Sequence, residues 1–239
     1  MNINKNTHCI ILARGGSKGI KGKNLIKINK KPLLYWSIRS SLKSKYIKST
    51  WVSSDNKKIL SYAKKYGAKA IIRPSRLSRD KSSSESGWLH AINEIEKKHK
   101  LKVDYIVGIQ NTSPLRLRDD IDKAIKKYFK FNYDSMFSAT LKHDIFFSWN
   151  LKSKKIKSNY NYFKRPLRQR MGEILLENGS FYIFNTKKFK KIKNRLFNKI
   201  GYFKQDLFSS FQLDNYQDYN LLNVLMKSKY IKRKYSLGK

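Results

Sequence analysis

The sequence predicts an α/β fold, with a mostly parallel sheet flanked by helices in one domain, 1–239. Three observations predict it. Short apolar runs alternate with amphipathic stretches at helical spacing through about residue 140, the order that calls for crossover helices. The predicted strands end in polar loops, 14–23, 73–84 and 110–116, and in open parallel sheets ligands bind beyond the carboxyl ends of strands. The alternation breaks over one aromatic, lysine-rich excursion, 141–178, and resumes after it.

The elements follow in order. Residues 9–13 form a continuous apolar run, a strand buried on both faces. Pro32 opens a helix over 33–43, since its fixed φ suits a first turn. A strand over 50–53 leads to Asp55, which can cap a helix over 56–66 that stops at Gly67. The next strand is 69–72. A helix over 85–98, a strand over 103–109, a helix from Asp119 or Asp120 to about 129 and a strand over 134–140 complete the regular part. The excursion is too aromatic for disorder. A strand over 179–185, a short helix over 186–192 and a helix over 216–227 follow. Residues 202–211 are ambiguous, and 230–239 read as a frayed basic tail.

Composition narrows the function. Lys+Arg 54 against Asp+Glu 16 gives a net charge of +38. That charge invites a nucleic-acid reading, which remains an alternative. The lysines are spread along the chain, however, and the same field attracts small polyanions. No nucleic-acid partner is expected. No apolar run approaches the ~20 residues of a membrane span, and the first residues lack the apolar region of a secretory signal. The single Cys9 excludes an internal disulfide. A cytoplasmic protein with no membrane partner is the expectation. The histidines show no paired metal spacing, and no Gly-x-Ser-x-Gly elbow occurs, so zinc and serine-hydrolase chemistry gain no support.

Residues 9–24, CIILARGGSKGIKGKN, carry the chemistry. The glycines let backbone N–H groups approach a ligand, and Arg14, Lys18 and Lys23 stand beside Ser17 on one loop. Such a loop seats a polyphosphate, and fixed cations there favour the charge that builds in phosphoryl transfer. It is neither a P-loop nor a Gly-x-Gly-x-x-Gly turn. Asn24 can hydrogen-bond a sugar or base. Arg73, Ser82, Ser83 and Ser84 either recognise a base or ribose or build a turn and helix cap. Gln110 and Arg116 flank Asn111-Thr112-Ser113-Pro114. Arg168 and Arg170 suit a substrate carboxylate. Asp214 and Asp218, four apart, fit a helix cap with an acidic first turn, a Mg²⁺ site, or both.

The motif 9–24 resembles the N-terminal motif of the N-acylneuraminate cytidylyltransferases. Val52-Ser53-Ser54-Asp55, Arg73-Pro74, Asp80 through Ser84, 109–114 (IQNTSP), Arg168-Gln169 and 177–182 (ENGSFY) are similar to that family's later blocks and stand in its order. The resemblance implies a Rossmann-like nucleotidyltransferase fold of the glycosyltransferase-A-like type. It implies transfer of CMP from CTP to the anomeric hydroxyl of a nine-carbon α-keto sugar acid, of sialic, legionaminic or pseudaminic type, with Mg²⁺ as cofactor. It also implies a homodimer whose inserted segment, 141–178, serves dimerisation and completes the partner's sugar site. By position, Arg14, Lys18 and Lys23 would hold phosphates. Asn24, Arg73 and Ser84 would lie on the nucleotide, Gln110 and Arg168 on the sugar acid, Ser17, Ser82 and Gln169 among the substrate-binding residues, and Asp214 on the metal.

The chain departs from the pattern in three places. Gln212-Leu213-Asp214 stands where the family has Asp-Ile-Asp, 146–149 replaces a lysine-bearing stretch, and Leu176-Glu177 stands where bacterial sialic-acid relatives place an arginine. A Kdo-type cytidylyltransferase is the alternative in the same fold, but that family carries Gln-Gly-Asp-Glu-Pro where this chain has Gln-Asn-Thr-Ser-Pro.

Overall fold

A computed structural model describes residues 5–17, 19–170 and 172–237, with Arg168 described by its backbone alone. The strands are β1 (Thr7–Leu12), β2 (Lys27–Ile28), β3 (Lys31–Pro32), β4 (Ser49–Ser54), β5 (Lys69–Ile72), β6 (Tyr105–Gln110), β7 (Ser135–Lys142), β8 (Phe147–Asn150), β9 (Lys155–Ser158), β10 (Ile174–Asn185) and β11 (Ile200–Lys204). The helices are α1 (Leu33–Leu42), α2 (Lys57–Lys65), α3 (Ser84–Lys98), α4 (Asp120–Lys130), α5 (Thr186–Ile192), α6 (Tyr216–Lys227) and α7 (Lys229–Lys234).

One sheet has the order β11-β7-β10-β6-β1-β4-β5. All its pairings are parallel except those of β10, which runs antiparallel to β6 and β7. The expected mostly parallel α/β architecture is therefore present. Alternation along β1 shows why the sheet is covered on both faces. Cys9 and Ile11 point into a cluster with Leu34 and Ile38 of α1, Ile59 and Ala63 of α2, and Ile121 and Ile125 of α4. Ile10 points the other way, to Trp88, Ile92 and Ile95 of α3 and Phe189 of α5. Each leucine, isoleucine or phenylalanine among them, fully buried, contributes about 1.5–3 kcal/mol. Trp88 lies flat on the sheet because Gly108 has no side chain; a β-carbon there would stand 2.7 Å from the indole.

Several local expectations are corrected. Asn56, not Asp55, caps α2, accepting from the N–H groups of Lys58 and Ile59. Neither Asp119 nor Asp120 caps α4 in the usual way. Asp119 makes no side-chain cap bond, and the buried Asp120 accepts from the Leu117 N–H and the Gln205 amide. The strand expected over 179–185 begins at Ile174, so 174–177 of the excursion already pairs with β7, ahead of a bulge between Glu177 and Tyr182. The remainder carries the β8–β9 hairpin. The ambiguous stretch 202–211 divides into the end of β11 and a short 3-10 turn, Leu207–Ser210.

The expected frayed tail is α7. Ile231, Tyr235 and Leu237 are buried with Leu222 and Met226 of α6 against Ile20, Ile28, Leu33 and Trp36. That third cluster braces the loop after β1 from below. Among the described residues, no helix is long and apolar enough to cross a membrane.

Candidate active site

The carboxyl ends of β1, β4, β5 and β6 and the amino end of the reversed β10 lie along one edge of the sheet. A cleft of about 530 Å³ opens there, within the range of small-ligand sites. Arg14, Ser17, Lys23, Asn24, Arg73, Ser82, Ser84, Gln110 and Asp214 all line it. Lys18 and the side chain of Arg168 lie outside the described residues. Gln169 is exposed on the excursion and does not line the cleft.

The loop after β1 is fastened at three points. The Gly15 N–H donates to Asp55 Oδ1 at 2.8 Å. Arg14 Nη1 pairs with Asp80 Oδ1 at 2.8 Å. Lys23 Nζ donates to the Leu213 carbonyl and to Asp214 Oδ1, both at 3.0 Å. Each of these donors faces a carboxylate, the group most like a phosphate oxygen in charge and geometry. Gly19 is required by contact: a β-carbon there would stand 2.0 Å from the Asp214 carbonyl oxygen. The loop is thus folded against the segment that carries Asp214.

Asn24 is buried and already partnered. Its Nδ2 donates to the Arg14 carbonyl at 2.7 Å, and its Oδ1 accepts from Asn111 Nδ2 at 2.8 Å. It ties the first loop to the loop after β6. It lines the cleft where the sequence places a contact to sugar or base, and its amide also shapes the wall there. The serines of 82–84 divide in the same way. Ser83 caps α3 by accepting from the Ser86 N–H, Ser82 Oγ donates to the Arg76 carbonyl, and Ser84 is the first helical residue. The amino end of α3, which favours anions, therefore opens onto the cleft.

Arg73 is 6% exposed. Its Nε donates to Ser78 Oγ at 3.0 Å. Burial pulls its pKa down, with Asp55 opposing the shift and Arg14 adding to it. A largely desolvated guanidinium at the cleft floor attracts an anion or a polarised carbonyl strongly. Below the cleft, Arg116 is buried and donates to the carbonyls of Gln110 and Ser180. Desolvation brings its pKa to about 10, so it stays charged at neutral pH.

Asp214 is relieved of the capping role that its spacing also allowed. Asn215 caps α6, and Asp218 closes a capping box with it. Asp214 is left 64% exposed at the cleft with Lys23 as its partner. Gln212 is turned to the protein, its Nε2 donating to the Asn178 carbonyl at 3.0 Å. Among the described residues no cluster of three His, Cys, Asp or Glu side chains could hold a metal ion. One exposed carboxylate suits Mg²⁺, which takes one or two protein oxygens and completes its shell with phosphate and water.

Residues 8–231 match the sequence profile of a family described as Cytidylyltransferase. The chain belongs to the cytidylyltransferase family. It is 39% identical over 178 residues to N-acylneuraminate cytidylyltransferase A of Danio rerio, a match covering 72% of this chain and 40% of that protein. It is 37% identical over 133 residues to the pseudaminic acid cytidylyltransferase of Campylobacter jejuni, covering 55% and 57%. The chain thus spans about 40% of the length of the fish relative. Among solved structures, CMP:2-keto-3-deoxy-manno-octonic acid synthetase complexed with CTP superposes with a TM-score of 0.69 at 15% identity, covering 93% of this chain and 99% of that one. That likeness shows the shared nucleotidyltransferase fold.

For a cytidylyltransferase, sequence reasoning misses two residues that line the cleft, Asp80 and Trp88, and two that brace it from behind, Asp55 and Arg195. Asp55, which the sequence offers as a helix cap, follows β4 and anchors the Gly15 N–H instead. Asp80 opens the block 80–84 that resembles the family's but carries no role of its own there, and Trp88 carries no local signal as a site residue. Neither does Arg195, which reaches the side chain of the cleft residue Gln110 from the loop after α5.

Proposed function

We propose that this cytidylyltransferase transfers CMP from CTP to the anomeric hydroxyl of a nonulosonic acid, releasing pyrophosphate. The observation that carries the reading is the fastening of a glycine-rich cationic loop onto Asp214 at the mouth of a cleft floored by a buried arginine. The names of the relatives, one acting on N-acylneuraminate and one on pseudaminic acid, support a nine-carbon α-keto acid as acceptor.

In this reading the triphosphate replaces the carboxylates of Asp80 and Asp214 as partner of Arg14 and Lys23, with Lys18 and Ser17 on the same loop. Arg73, the amino end of α3 and Ser82–Ser84 take the cytosine and ribose, and Asn24 holds the wall behind them. Gln110 meets the sugar acid. The anomeric oxygen forms its bond to the α-phosphorus as the bond from that phosphorus to the β-bridging oxygen breaks, and the hydroxyl proton leaves to solvent. Arg14 and Lys23 stabilise the negative charge that accumulates on the leaving pyrophosphate. Asp214 would hold Mg²⁺, which supplies charge neutralisation on the phosphate oxygens when bound.

We assign Arg168 and Gln169 to the sugar site of a partner subunit in a homodimer. The excursion exposes Phe147, Trp149, Leu151, Ile156 and Phe163, large apolar side chains of the kind a partner surface covers. The cytoplasm supplies CTP and is the proposed location.

Pyrophosphate release with CTP and Mg²⁺ against N-acetylneuraminate, legionaminate, pseudaminate and Kdo tests the reading, with the other nucleoside triphosphates as controls. Turnover with CTP and one nine-carbon acid is expected. Turnover with Kdo alone, or CTP binding without turnover on any acid, would overturn the acceptor assignment.

A further inference from the structure

Arg195 comes from the loop between α5 and β11, far in sequence from every motif, yet it ends directly behind two residues of the cleft wall, Trp88 and Gln110. Its guanidinium sits 5.0 Å over the Trp88 ring and 4.8 Å over the Tyr182 ring. Its Nε pairs with Glu85 Oε1 at 2.6 Å, and that ion pair is four-fifths buried. Two aromatic faces and a carboxylate therefore fix its plane. With the Gln110 amide turned as its neighbours require, Arg195 Nη1 donates to Gln110 Oε1 at 3.2 Å, and Gln110 Nε2 donates to the Gly179 carbonyl at 3.0 Å. The opposite orientation sets an amide nitrogen against a guanidinium and an oxygen against a carbonyl, which costs two hydrogen bonds and adds repulsion.

We infer that Arg195 is a positioning residue that locks the Gln110 side chain as a hydrogen-bond donor toward the acceptor substrate. This inference rests on the proposed cytidylyltransferase reading. The Gln110 carbonyl oxygen is held by a cation and one Nε2 hydrogen by Gly179. The second hydrogen is left for the cleft, which Gln110 lines. The cleft wall at this point accordingly selects a substrate group rich in lone pairs, a carboxylate or a hydroxyl oxygen, and disfavours a donor such as an ammonium. Glu177, which stands where bacterial sialic-acid relatives place an arginine, accepts from the Tyr182 hydroxyl. It braces the ring beneath Arg195 and adds no positive charge of its own. The cation at this wall comes instead from the α5–β11 loop.

Two measurements test the inference. The first uses ligand-free, ¹⁵N-labelled protein and needs no turnover. The two Gln110 Nε2 hydrogens should exchange with solvent at distinct rates, and Arg195→Ala should abolish the difference. Equal rates in the unaltered protein overturn the lock.

The second is kinetic, with the acid that the substrate panel identifies. Arg195→Ala should raise KM for the sugar acid about tenfold with little change for CTP, and Arg195→Lys, which can still donate to Gln110, should recover part of the loss. Gln110→Glu keeps the contact to Arg195 but removes the donor, so it should lose as much as Arg195→Ala. Equal increases in both KM values, or a fully active Gln110→Glu, overturn the role. Failure of the unaltered protein to use any sugar acid overturns the parent reading instead, and the exchange measurement then decides the lock by itself.

Discussion

Gly19 and Asp214 meet backbone to backbone, with the Asp214 carbonyl oxygen occupying the place a β-carbon at residue 19 would need. The phosphate-loop candidate and the metal candidate are therefore one mechanical unit. Gly19→Ala forces the two segments apart, because a 2.0 Å approach to a backbone oxygen cannot be relieved by a rotamer change. The variant should fold, since the contact lies at the rim, but CTP affinity should fall by about tenfold or more. Isothermal titration with CTP measures it, and unaltered affinity would show that the two segments act independently.

The division of labour around α6 separates two neighbouring residues. Asp214→Asn should leave the melting temperature nearly unchanged, because Asn215 and Asp218 form the cap, and should abolish Mg²⁺-dependent turnover. Asn215→Ala should do the reverse, costing about 1 kcal/mol of stability while Mg²⁺ dependence persists. Chemical denaturation and Mg²⁺ titration of both variants check the pair. Near-normal kcat at limiting Mg²⁺ in Asp214→Asn would remove Asp214 from the metal site.

Asn24 holds two loops by one amide. Asn24→Asp keeps an acceptor for Asn111 but sets a carboxylate oxygen against the Arg14 carbonyl, where a donor stood. A loss of about 1–3 kcal/mol is expected at neutral pH, read as a lower urea midpoint. Asn24→Asp with unaltered stability would place the loop anchor elsewhere.

Asp120 gives the fold a pH signature. Burial is the main cause of a pKa raised from 3.8 to about 6, with the Gln205 and Leu117 hydrogen bonds opposing it. Between those values the folded chain holds a proton that the unfolded chain releases. This group therefore makes stability fall as pH rises from about 4 to about 6, by at most about 1.4 kcal/mol per pH unit, and then level off. Asp120→Asn keeps both bonds through Oδ1 and removes the titration. The difference between variant and unaltered protein should grow in the variant's favour over that window, as urea midpoints at successive pH values would show. A constant difference would mean that the carboxylate titrates normally.

Much of this molecule was legible in the sequence where the signal is local. The continuous apolar run 9–13, the amphipathic helix after Pro32 and the polar loops at strand ends each depend on a few adjacent side chains. Those loops do line one cleft. What escaped is set by distance in sequence. Asn56 took the cap from Asp55, and Asn215 took it from Asp214, because either side chain of each adjacent pair can cap and only the backbone path decides. The tail reads as solvated lysines, yet α7 is held by Ile231, Tyr235 and Leu237 meeting α6, α1 and the segment 20–28. Arg195 lies in a run of lysines, and nothing adjacent to it signals that Glu85, Trp88 and Gln110 converge on its guanidinium.

The reversed direction of β10 has an architectural consequence. Because β7 leaves the sheet and β10 re-enters it at the same edge, side by side, the segment between them is a detachable attachment whose two stumps are already joined by a ladder. Changing its length alters only the entropy of closing a loop, about 0.6 kcal/mol for each doubling, and leaves the core untouched. The chain can therefore carry an attachment of different length or chemistry at this point without renegotiating the cleft or the stability of the sheet.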